Sequence, residues 1–515
     1  MQSLLAFFPI LLILVLMIGG KWSAAAAGTL GLAVAVAIAV FAFGYGASVH
    51  AEFTPMGAVG GALTEALFVA GTVLWIVFPA LCIFELQNRS GAFDVLKIGL
   101  TRVTGDRRLV AILVGWFFAL FMEGAAGFGT PVALAAPILV SLGFPPVQAV
   151  TLALIGHAVG VSFGAVGTPI FPQVAITGLT GLEIAQSTGL LHATLGGILL
   201  IFLVGIAGRD VAPAGREDWR HWGWACLAAP CFLVPFLAIA MFVGPELPTL
   251  AGALVGGTVF VALLWWRHGG TRHAAQVAAG GSLGAALWRA SLPYVILLVL
   301  ILATRLIAPL QQALQSVTWQ WTLFEEFSGS VQPLYHPGSM LMLGFVIGSL
   351  LQGRGMVEIA AASARSARRI LPVIVALVAM LGLSRVMVHA GMIAALAEVA
   401  AAHLGPVWPL VAPAVGVLGS FVAGSATASN ILLTNFQEST ARALGLPILQ
   451  LVSAQGFGAA VGNIICPHNV IAGAATVGLS GREGEVLRRT VLACGCYALA
   501  GGVLVYALTA WVDEG

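Results

Sequence analysis

Two titratable residues lie inside otherwise apolar sequence, where proton transfer is the chemistry they would support. Glu123 ends one apolar run, and His157 lies in the middle of another. A carboxylate within a membrane is costly unless it is paired, neutralised or functional, and burial favours its protonated form. Histidine exchanges a proton near neutral pH. We therefore predict that Glu123 first, and His157 second, carries protons. The alternatives are a solvated glutamate at a helix end and a structural histidine with satisfied hydrogen bonds.

Glycine, proline and small polar residues interrupt the apolar sequence at four places. Two are Gly-Phe-Gly-Thr-Pro at 127–131 and Gly-Thr-Pro at 167–169; the other two begin at Thr427 and Gly462. A helix that starts at such a break presents free N–H groups and a partial positive charge to an anion, and proline suits its first turn. The alternative is that each threonine hydroxyl bonds its own backbone. The candidate substrate-binding residues are Gly127, Gly129, Thr130, Thr168, Gln173, Ser429, Asn430, Asn463, His468 and Asn469.

Arg385 and His389 lie near the outer end of an apolar segment at 370–388. An arginine there is expected to pair with a carboxylate of the substrate or with Glu398, or to extend to the membrane surface. We group Arg385 and His389 with the candidate proton-coupling residues.

Three other charged residues are predicted to be structural. Arg305, near the end of another apolar segment, is expected to extend to the surface. Glu438 and Arg442 are four residues apart and would pair on one face of a helix.

The four breaks belong to two stretches, 122–181 and 424–481, that repeat one another. Helix-breaking residues in a bilayer free backbone groups that only protein or a water-filled cavity can satisfy. Two such segments in matching halves indicate the binding site of a transporter. We therefore predict a secondary transporter. The matching pairs are Gly143-Phe-Pro with Gly445-Leu-Pro, Gln148 with Gln450, Ala165-Val-Gly with Ala460-Val-Gly, and Gly178-Leu with Gly478-Leu.

The composition excludes a soluble protein. Of 515 residues, 60% are hydrophobic and 8% are charged, against about 25% charged in soluble domains. The scattered basic residues do not predict nucleic-acid binding, and the six cysteines fit no metal, haem or disulfide pattern. H-E-x-x-H, Walker and G-x-S-x-G motifs are absent from the sequence. We expect no enzyme activity, no cofactor and no metal.

Twelve apolar segments outside the repeat cores are candidates to cross a membrane, which takes about 20 residues or somewhat fewer. The first is predicted to be a retained span rather than a signal peptide, because Lys21 follows the apolar run. Loops rich in Lys and Arg alternate with loops that have none, and the basic loops are predicted to be cytoplasmic. The candidate spans are 3–20, 24–46, 62–86, 109–123, 187–208, 222–243, 249–266, 289–309, 338–352, 370–388, 407–423 and 490–511. The loops without Lys or Arg are 47–61, 244–248 and 310–337.

This alternation gives the two repeats opposite orientations. Segment 109–123 enters the first core from the cytoplasm, and 407–423 enters the second from outside, as in the inverted repeats of alternating-access transporters. Each core then needs an even number of crossings, as re-entrant hairpins or as broken helices. Amphipathic pieces at 92–104 and 391–403 are predicted to lie along the surface, and 310–337 to be an external interfacial segment.

The sequence MEGAAGFGTPVA at 122–133, with GHAVGVSFGAVGTPIFPQ at 156–173, resembles the L-lactate permease family, which includes glycolate permeases. The resemblance covers most of the chain. It implies proton-coupled uptake of lactate or glycolate across the bacterial inner membrane. It also implies, by analogy of fold, kinship with ion transporters that place paired hairpins and broken helices around a central anion site.

These observations predict an all-α polytopic protein of the bacterial inner membrane, an inverted-repeat secondary transporter. We divide it into N-terminal helices (1–108), a first repeat core (109–208), connecting helices (209–369) and a second, inverted core with the last helix (370–515). The expected function is inward symport of a short 2-hydroxymonocarboxylate (L-lactate, D-lactate or glycolate) with a proton; the alternative is a sodium-coupled carboxylate transporter. The expected partners are that substrate, protons and membrane lipid.

Overall fold

The computed structural model describes residues 2–18, 22–46, 54–101, 103–104, 106–127, 129–208, 219–267, 281–479 and 482–513. Within these residues, twelve helices are long and apolar enough to cross a membrane, which confirms the prediction of a polytopic helical membrane protein. The opposite orientation of the two repeats stays a prediction. Predictions about Lys21, Arg102, Arg209, Arg216, Arg272, Phe128 and residues 47–53 lie outside the described residues.

Six helices precede the first break, and α5 and α6 are joined by π-helical turns into one segment of membrane length. They are α1 (Gln2–Ile18), α2 (Ala24–Phe43), α3 (Pro55–Arg89), α4 (Ala92–Thr101), α5 (Arg107–Ala111) and α6 (Ala119–Ala125). The first core continues with α7 (Thr130–Ser141), α8 (Pro146–His157), a 3-10 segment (Ala158–Phe163), a turn (Gly164–Gly167) and α9 (Ile170–Thr177).

Seven helices and a β-hairpin follow α9 in the described part of the chain: α10 (Gly181–Leu195), α11 (Gly197–Gly208), α12 (Trp219–Phe242), α13 (Pro248–Arg267), α14 (Gly281–Leu306), α15 (Ala308–Gln315), β1 (Trp319–Leu323), β2 (Phe327–Val331) and α16 (Pro337–Leu351). The second half contains α17 (Met356–His389), α18 (Met392–Leu404), α19 (Trp408–Ala423), α20 (Ala426–Leu444), α21 (Ile448–Gly462), α22 (Pro467–Thr476) and α23 (Glu483–Asp513).

Local sequence signals account for many helix ends. The Thr180 hydroxyl accepts the Glu183 N–H at 3.2 Å, and the Glu183 carboxylate accepts the Thr180 N–H at 2.8 Å, which starts α10 with a capping box. Gly143 and Gly445 follow α7 and α20 with φ of 88° and 68°. That left-handed conformation favours glycine after a helix, so the same stop signal ends matching helices in the two cores.

The predicted external segment at 310–337 contains a β-hairpin, the only β-structure in the described part of the chain. β1 and β2 pair antiparallel, with Trp319 opposite Val331 and Leu323 opposite Phe327. Phe327 is fully buried against Gly61, where a Cβ atom would overlap the phenylalanine ring. The glycine on α3 therefore provides the space in which the hairpin docks.

Helices α3 and α17 run antiparallel and are joined by ion pairs at both ends. Glu65 lies 2.9 Å from His389, and Glu85 lies 2.8 Å from Arg365. Twenty residues of α3 separate the two glutamates, which is about 30 Å, the thickness of a bilayer's hydrocarbon core. The two ion pairs therefore hold α3 against α17 across a distance of about one hydrocarbon-core thickness.

Two sequence predictions about helix extent were too short. The helix predicted at 370–388 begins at Met356, and the one predicted at 62–86 begins at Pro55. Arg365 and the basic residues near it precede the predicted apolar span but lie on the same continuous helix, because a helix can extend beyond its apolar stretch. The predicted pair of Glu438 and Arg442 is confirmed at 2.6 Å.

Candidate functional site

A cavity of about 970 Å³ lies between the two cores and helices α2, α3 and α17. None of its described lining residues is Lys or Arg. The cavity reaches the exposed side chains of Trp22 and Ser23 and also Glu483, which adjoins Arg482 of a basic loop, the kind of loop predicted to be cytoplasmic. The polar lining residues from the cores are Glu123, Thr168, Ser425, Thr427, Asn463, His468 and Asn469. The opposite wall, which we call the apolar wall, consists of Val73, Val77, Ala376, Leu377 and Met380 from α3 and α17.

The first break, between α6 and α7, places glycine backbone at the cavity. Gly127 and Gly129 both line the cavity and have φ of 57° and 79°. A Cβ atom at Gly129 would come within 3.0 Å of Asn469 Oδ1 in the second core. The Thr130 hydroxyl donates to the Gly127 carbonyl at 2.7 Å. The Thr130 side chain therefore caps its own break, as the structural alternative predicted.

The second break is a left-handed turn. Ala165 and Val166 have φ of 42° and 56°, and Gly167 continues the turn at 80°. This conformation strains a β-branched residue, and such strain clusters at functional sites. The Thr168 hydroxyl donates to the Ala165 carbonyl at 2.5 Å, which braces the turn. A Cβ atom at Gly164 would overlap Glu123 Oε1, so the carboxyl group packs directly on this backbone.

Glu123 and His157 face each other at the polar end of the cavity. Glu123 is 5% exposed and His157 is fully buried. The distance from His157 Nε2 to Glu123 Oε2 is 4.0 Å, and His157 is the only basic side chain within that distance among the described residues. The Glu123 carboxyl group therefore lies between the cavity on one side and the His157 ring on the other.

The hydrogen bonds of His157 define its tautomer. Nδ1 lies 2.7 Å from the Ala153 carbonyl oxygen, so Nδ1 carries a hydrogen and donates it. In the neutral ring, Nε2 is then bare and faces Glu123 as well as Asn463 Oδ1 at 3.4 Å. A bare Nε2 can accept a proton from the Glu123 carboxyl group, whereas only the charged ring can donate to the Asn463 oxygen.

The second core contributes amides and helix N-termini. The Asn469 amide donates to the Asn463 side-chain oxygen, and both residues line the cavity. α20 starts at Ser425 without a side-chain cap, so its first N–H groups are available to a ligand. His468, in the first turn of α22, is exposed to the cavity and is its only lining residue, within the described part of the chain, that can become a cation.

Besides Thr130, three predicted substrate-binding residues do not line the cavity; two of them join the two cores, and the third bonds within the second core. Gln173 donates to the Val452 carbonyl at 2.8 Å, and Asn430 donates to the Pro169 carbonyl at 2.9 Å. Ser429 donates to the Gly416 carbonyl at 3.0 Å, within the second core. Sequence position alone could not separate these structural amides from the cavity residues, because both occur at the same breaks.

Arg385 and His389 belong to a separate cluster. The expected partner Glu398 is replaced by Glu65, which lies 3.9 Å from Arg385 Nε and 2.9 Å from His389 Nε2. Neither residue lines the cavity. Glu65 was not among the predicted site residues, although a carboxylate inside the apolar segment at 62–86 is a visible signal in the sequence.

The prediction that Arg305 extends to the surface was wrong. Its guanidinium group is 6% exposed and lies 2.6 Å from Glu246. It also donates to the Tyr335 carbonyl at 3.2 Å. Glu246, in the earlier loop at 244–248, holds the arginine inward, a pairing that only the tertiary structure creates.

Two cavity residues, Ser425 and Thr427, were absent from the predicted site. Thr427 begins one of the four predicted breaks, but Ser429 and Asn430, which follow it, were the residues predicted to bind substrate there. On a helix, these positions point to different sides. Thr427 faces the cavity, while Ser429 faces α19.

Comparisons with known proteins agree with this architecture. A family model described as L-lactate permease matches residues 2–512. The chain is 26% identical over 486 residues to the L-lactate permease of Bacillus subtilis (strain 168), covering 86% of this chain and 84% of that protein. It is 30% identical over 487 residues to the glycolate permease GlcA of Escherichia coli (strain K12), covering 86% and 85%. The Alcanivorax borkumensis YdaH transporter matches in fold, with a TM-score of 0.50, 15% identity and coverage of 95% and 98%.

Proposed function

Because this chain belongs to the L-lactate permease family, we propose that it carries a short 2-hydroxymonocarboxylate, L-lactate or glycolate, into the cell together with a proton. The observation that supports this most directly is the position of Glu123: a buried carboxyl group at the polar end of a cavity lined by the broken segments of both cores. The names of the relatives supply the substrate class.

The cavity suits a small anion with a neighbouring hydroxyl group. Helix N-termini and glycine backbone offer N–H groups and partial positive charge without a fixed cation. His468 can add a full charge when protonated, and the amides of Asn463 and Asn469 can bond a hydroxyl. A weakly positive site of this kind binds an anion without retaining it, which transport requires.

In this proposal Glu123 couples proton movement to substrate movement. A protonated carboxyl group removes a negative charge that would repel the substrate carboxylate. Release of that proton to His157 Nε2 or to cavity water restores the charge and favours departure of the anion. The 4.0 Å separation of Glu123 and His157 allows transfer after a small side-chain movement.

The moving parts are proposed to be the two joined cores and the apolar wall. The cores share hydrogen bonds from Gln173, from Asn430 and from Ser162, whose hydroxyl donates to the Gly456 carbonyl at 3.0 Å. Rocking one core against the other would break all three. Movement of both cores across the apolar wall would keep all three. It would instead break the bond from Arg385 to the Ala175 carbonyl and the bond from the Asn435 amide to the Ser384 hydroxyl.

Uptake into liposomes that contain the pure protein tests the proposal. An inward proton gradient is expected to drive accumulation of labelled L-lactate or glycolate, and dissipation of the gradient with a protonophore should abolish it. Accumulation that ignores the proton gradient but follows a sodium gradient would establish the sodium-coupled alternative. Equilibration without accumulation under either gradient would indicate a channel, and absence of any uptake would reject the substrate class.

A further inference from the structure

Glu65 is a buried carboxylate on α3 whose partners lie on two other elements, α17 and β2. It is 8% exposed. Its Oε2 lies 2.9 Å from His389 Nε2 and 3.9 Å from Arg385 Nε, both on α17. Its Oε1 accepts the backbone N–H of Ser328, on β2 of the hairpin, at 3.1 Å. An ionisable residue inside a membrane span is a candidate for function by default.

Arg385, held beside Glu65, also reaches the first core. Its Nη2 donates to the Ala175 carbonyl at 2.8 Å. Ala175 is in the last turn of α9 (Ile170–Thr177), where carbonyl groups lack helical partners and the helix dipole favours a cation. The guanidinium group therefore fastens the end of α9 to α17.

α9 separates the cavity from the hairpin side of the protein. Thr168 and Pro169, just before α9, line the cavity, and Ala175 lies at its far end. The same order holds along the apolar wall. Val73 lines the cavity, and Glu65, on the same helix α3, lies about 12 Å away from it along the helix axis. Glu65, Arg385 and Ala175 thus stand on the route from the cavity to the hairpin side.

The hairpin covers this cluster. Phe327 packs edge-on against the His389 ring, with ring centres 5.0 Å apart, and is itself fully buried. Its neighbour Ser328 supplies the N–H to Glu65. The hairpin consequently holds Glu65 and His389 together from the side that faces away from the cavity.

We propose that Glu65 is a positioning residue of a gate on the hairpin side, which it closes by holding Arg385 on the Ala175 carbonyl. The inference rests on the proposed transport function. Opening toward the hairpin side would require Arg385 to release α9, and the released guanidinium group would then face an incoming carboxylate. Loss of the Glu65 charge frees Arg385 and leaves the gate open in more molecules.

The other end of the same two helices provides a matched control. Glu85 pairs with Arg365 at 2.8 Å and with Arg89 at 3.0 Å. This cluster joins α3 to α17 as the Glu65 cluster does, but Glu85 and its two arginines form no hydrogen bond or ion pair with either core among the described residues. Glu85→Gln therefore removes a similar charge without touching the proposed gate.

Cysteine labelling tests the gate independently of transport. Ser425→Cys places a reporter in the cavity, in a background with the six native cysteines replaced, and a membrane-impermeant maleimide is added to intact cells. Ser330→Cys, at an exposed position of β2, reports whether the reagent reaches the hairpin side. Glu65→Gln is expected to raise labelling of the cavity cysteine about fivefold and to lower proton-driven uptake about tenfold. Effects of this size are within the range measured when one partner of a buried charge pair is removed.

Glu85→Gln is expected to change both readouts by less than about twofold, because both of its arginine partners are partly exposed and such solvated pairs contribute little. Ser328→Pro removes the N–H that Glu65 accepts from the hairpin and leaves the Glu65 charge in place. It should raise labelling in the same direction, which covers the case that Glu65→Gln does not fold. Unchanged labelling in both variants overturns the gate. Changed labelling in a protein that transports no 2-hydroxy acid would support the gate and reject the proposed function.

Discussion

The tripeptide Ala-Val-Gly occurs at matching positions of the two cores and folds in two ways. At 165–167 it forms a left-handed turn, with φ of 42°, 56° and 80°. At 460–462 it completes the helix α21. Seventeen residues separate Gln148 from Ala165, but ten separate Gln450 from Ala460, so the first core has extra chain before the turn. The local sequence is the same, and the surroundings decide the conformation.

The surroundings differ in what packs on the backbone. In the first core, Glu123 lies against Gly164, and a Cβ atom at Gly167 would come within 2.5 Å of the Pro245 carbonyl oxygen. In the second core, a Cβ atom at Gly462 would meet the Val417 carbonyl oxygen of α19, as expected for a helix packed closely against its neighbour. In the first core, the missing side chain of Gly164 therefore makes room for a carboxyl group. In the second core, that of Gly462 makes room for a neighbouring helix.

The difference suggests a division of roles between the cores. The first core contributes the titratable pair of Glu123 and His157, and the second contributes the amides of Asn463 and Asn469. We expect substitutions in the first core to change proton coupling and substitutions in the second to change affinity.

The largest expected effect is that of Glu123→Gln. The amide cannot release a proton, so proton-driven accumulation should fall by about a hundredfold, a magnitude typical of removing a positioned proton-transfer group. Exchange of labelled for unlabelled substrate in liposomes, which needs no net proton movement, should persist. Glu398→Gln, at an exposed position of α18, is the control. Unchanged accumulation in Glu123→Gln would remove this residue from the coupling mechanism.

Val461→Gly and Val166→Gly compare the two copies of the tripeptide directly. Both valines are fully buried, so each substitution removes the same packing. Glycine costs about 1 kcal/mol in a helix but relieves about 1 kcal/mol or more of left-handed strain. Val461→Gly should therefore lower stability by about 2 kcal/mol more than Val166→Gly, measured by thermal unfolding in detergent. Equal losses would show that the turn at Val166 is not strained.

Asn463→Ala tests the assignment of affinity to the second core. Loss of the amide removes a cavity group that also accepts a hydrogen bond from Asn469. KM for the substrate should rise about tenfold, as for loss of a hydrogen bond to a charged group, while the number of protons moved per substrate stays the same. Asn88→Ala, exposed near the end of α3, serves as the control. A change in proton stoichiometry would contradict the division of roles.

The smallest effects are expected for Thr130→Val and Thr168→Val. Both hydroxyl groups donate to nearby backbone carbonyls, those of Gly127 and Ala165, and such local bonds contribute little free energy. Uptake should stay within about threefold of the parent protein. A loss greater than tenfold at either position would assign that hydroxyl group to substrate binding, as the sequence alone had suggested.

The sequence by itself determined the membrane class, most helices, the repeated cores and the main proton candidate. These features follow from local quantities: hydropathy over a span length, glycine and proline at breaks, and the cost of a carboxylate in an apolar run. The Glu438–Arg442 pair was predictable for the same reason, since both residues lie on one helix turn.

Only the tertiary structure decided which polar residues share a cavity. It separated Thr427 from Ser429 on one helix, paired Arg385 with Glu65 rather than Glu398, and turned Arg305 inward to Glu246. Each of these outcomes depends on a partner more than 50 residues away or on the direction in which a helix face points. The energy of a buried charge depends on such partners, and a sequence read along the chain does not contain their distances.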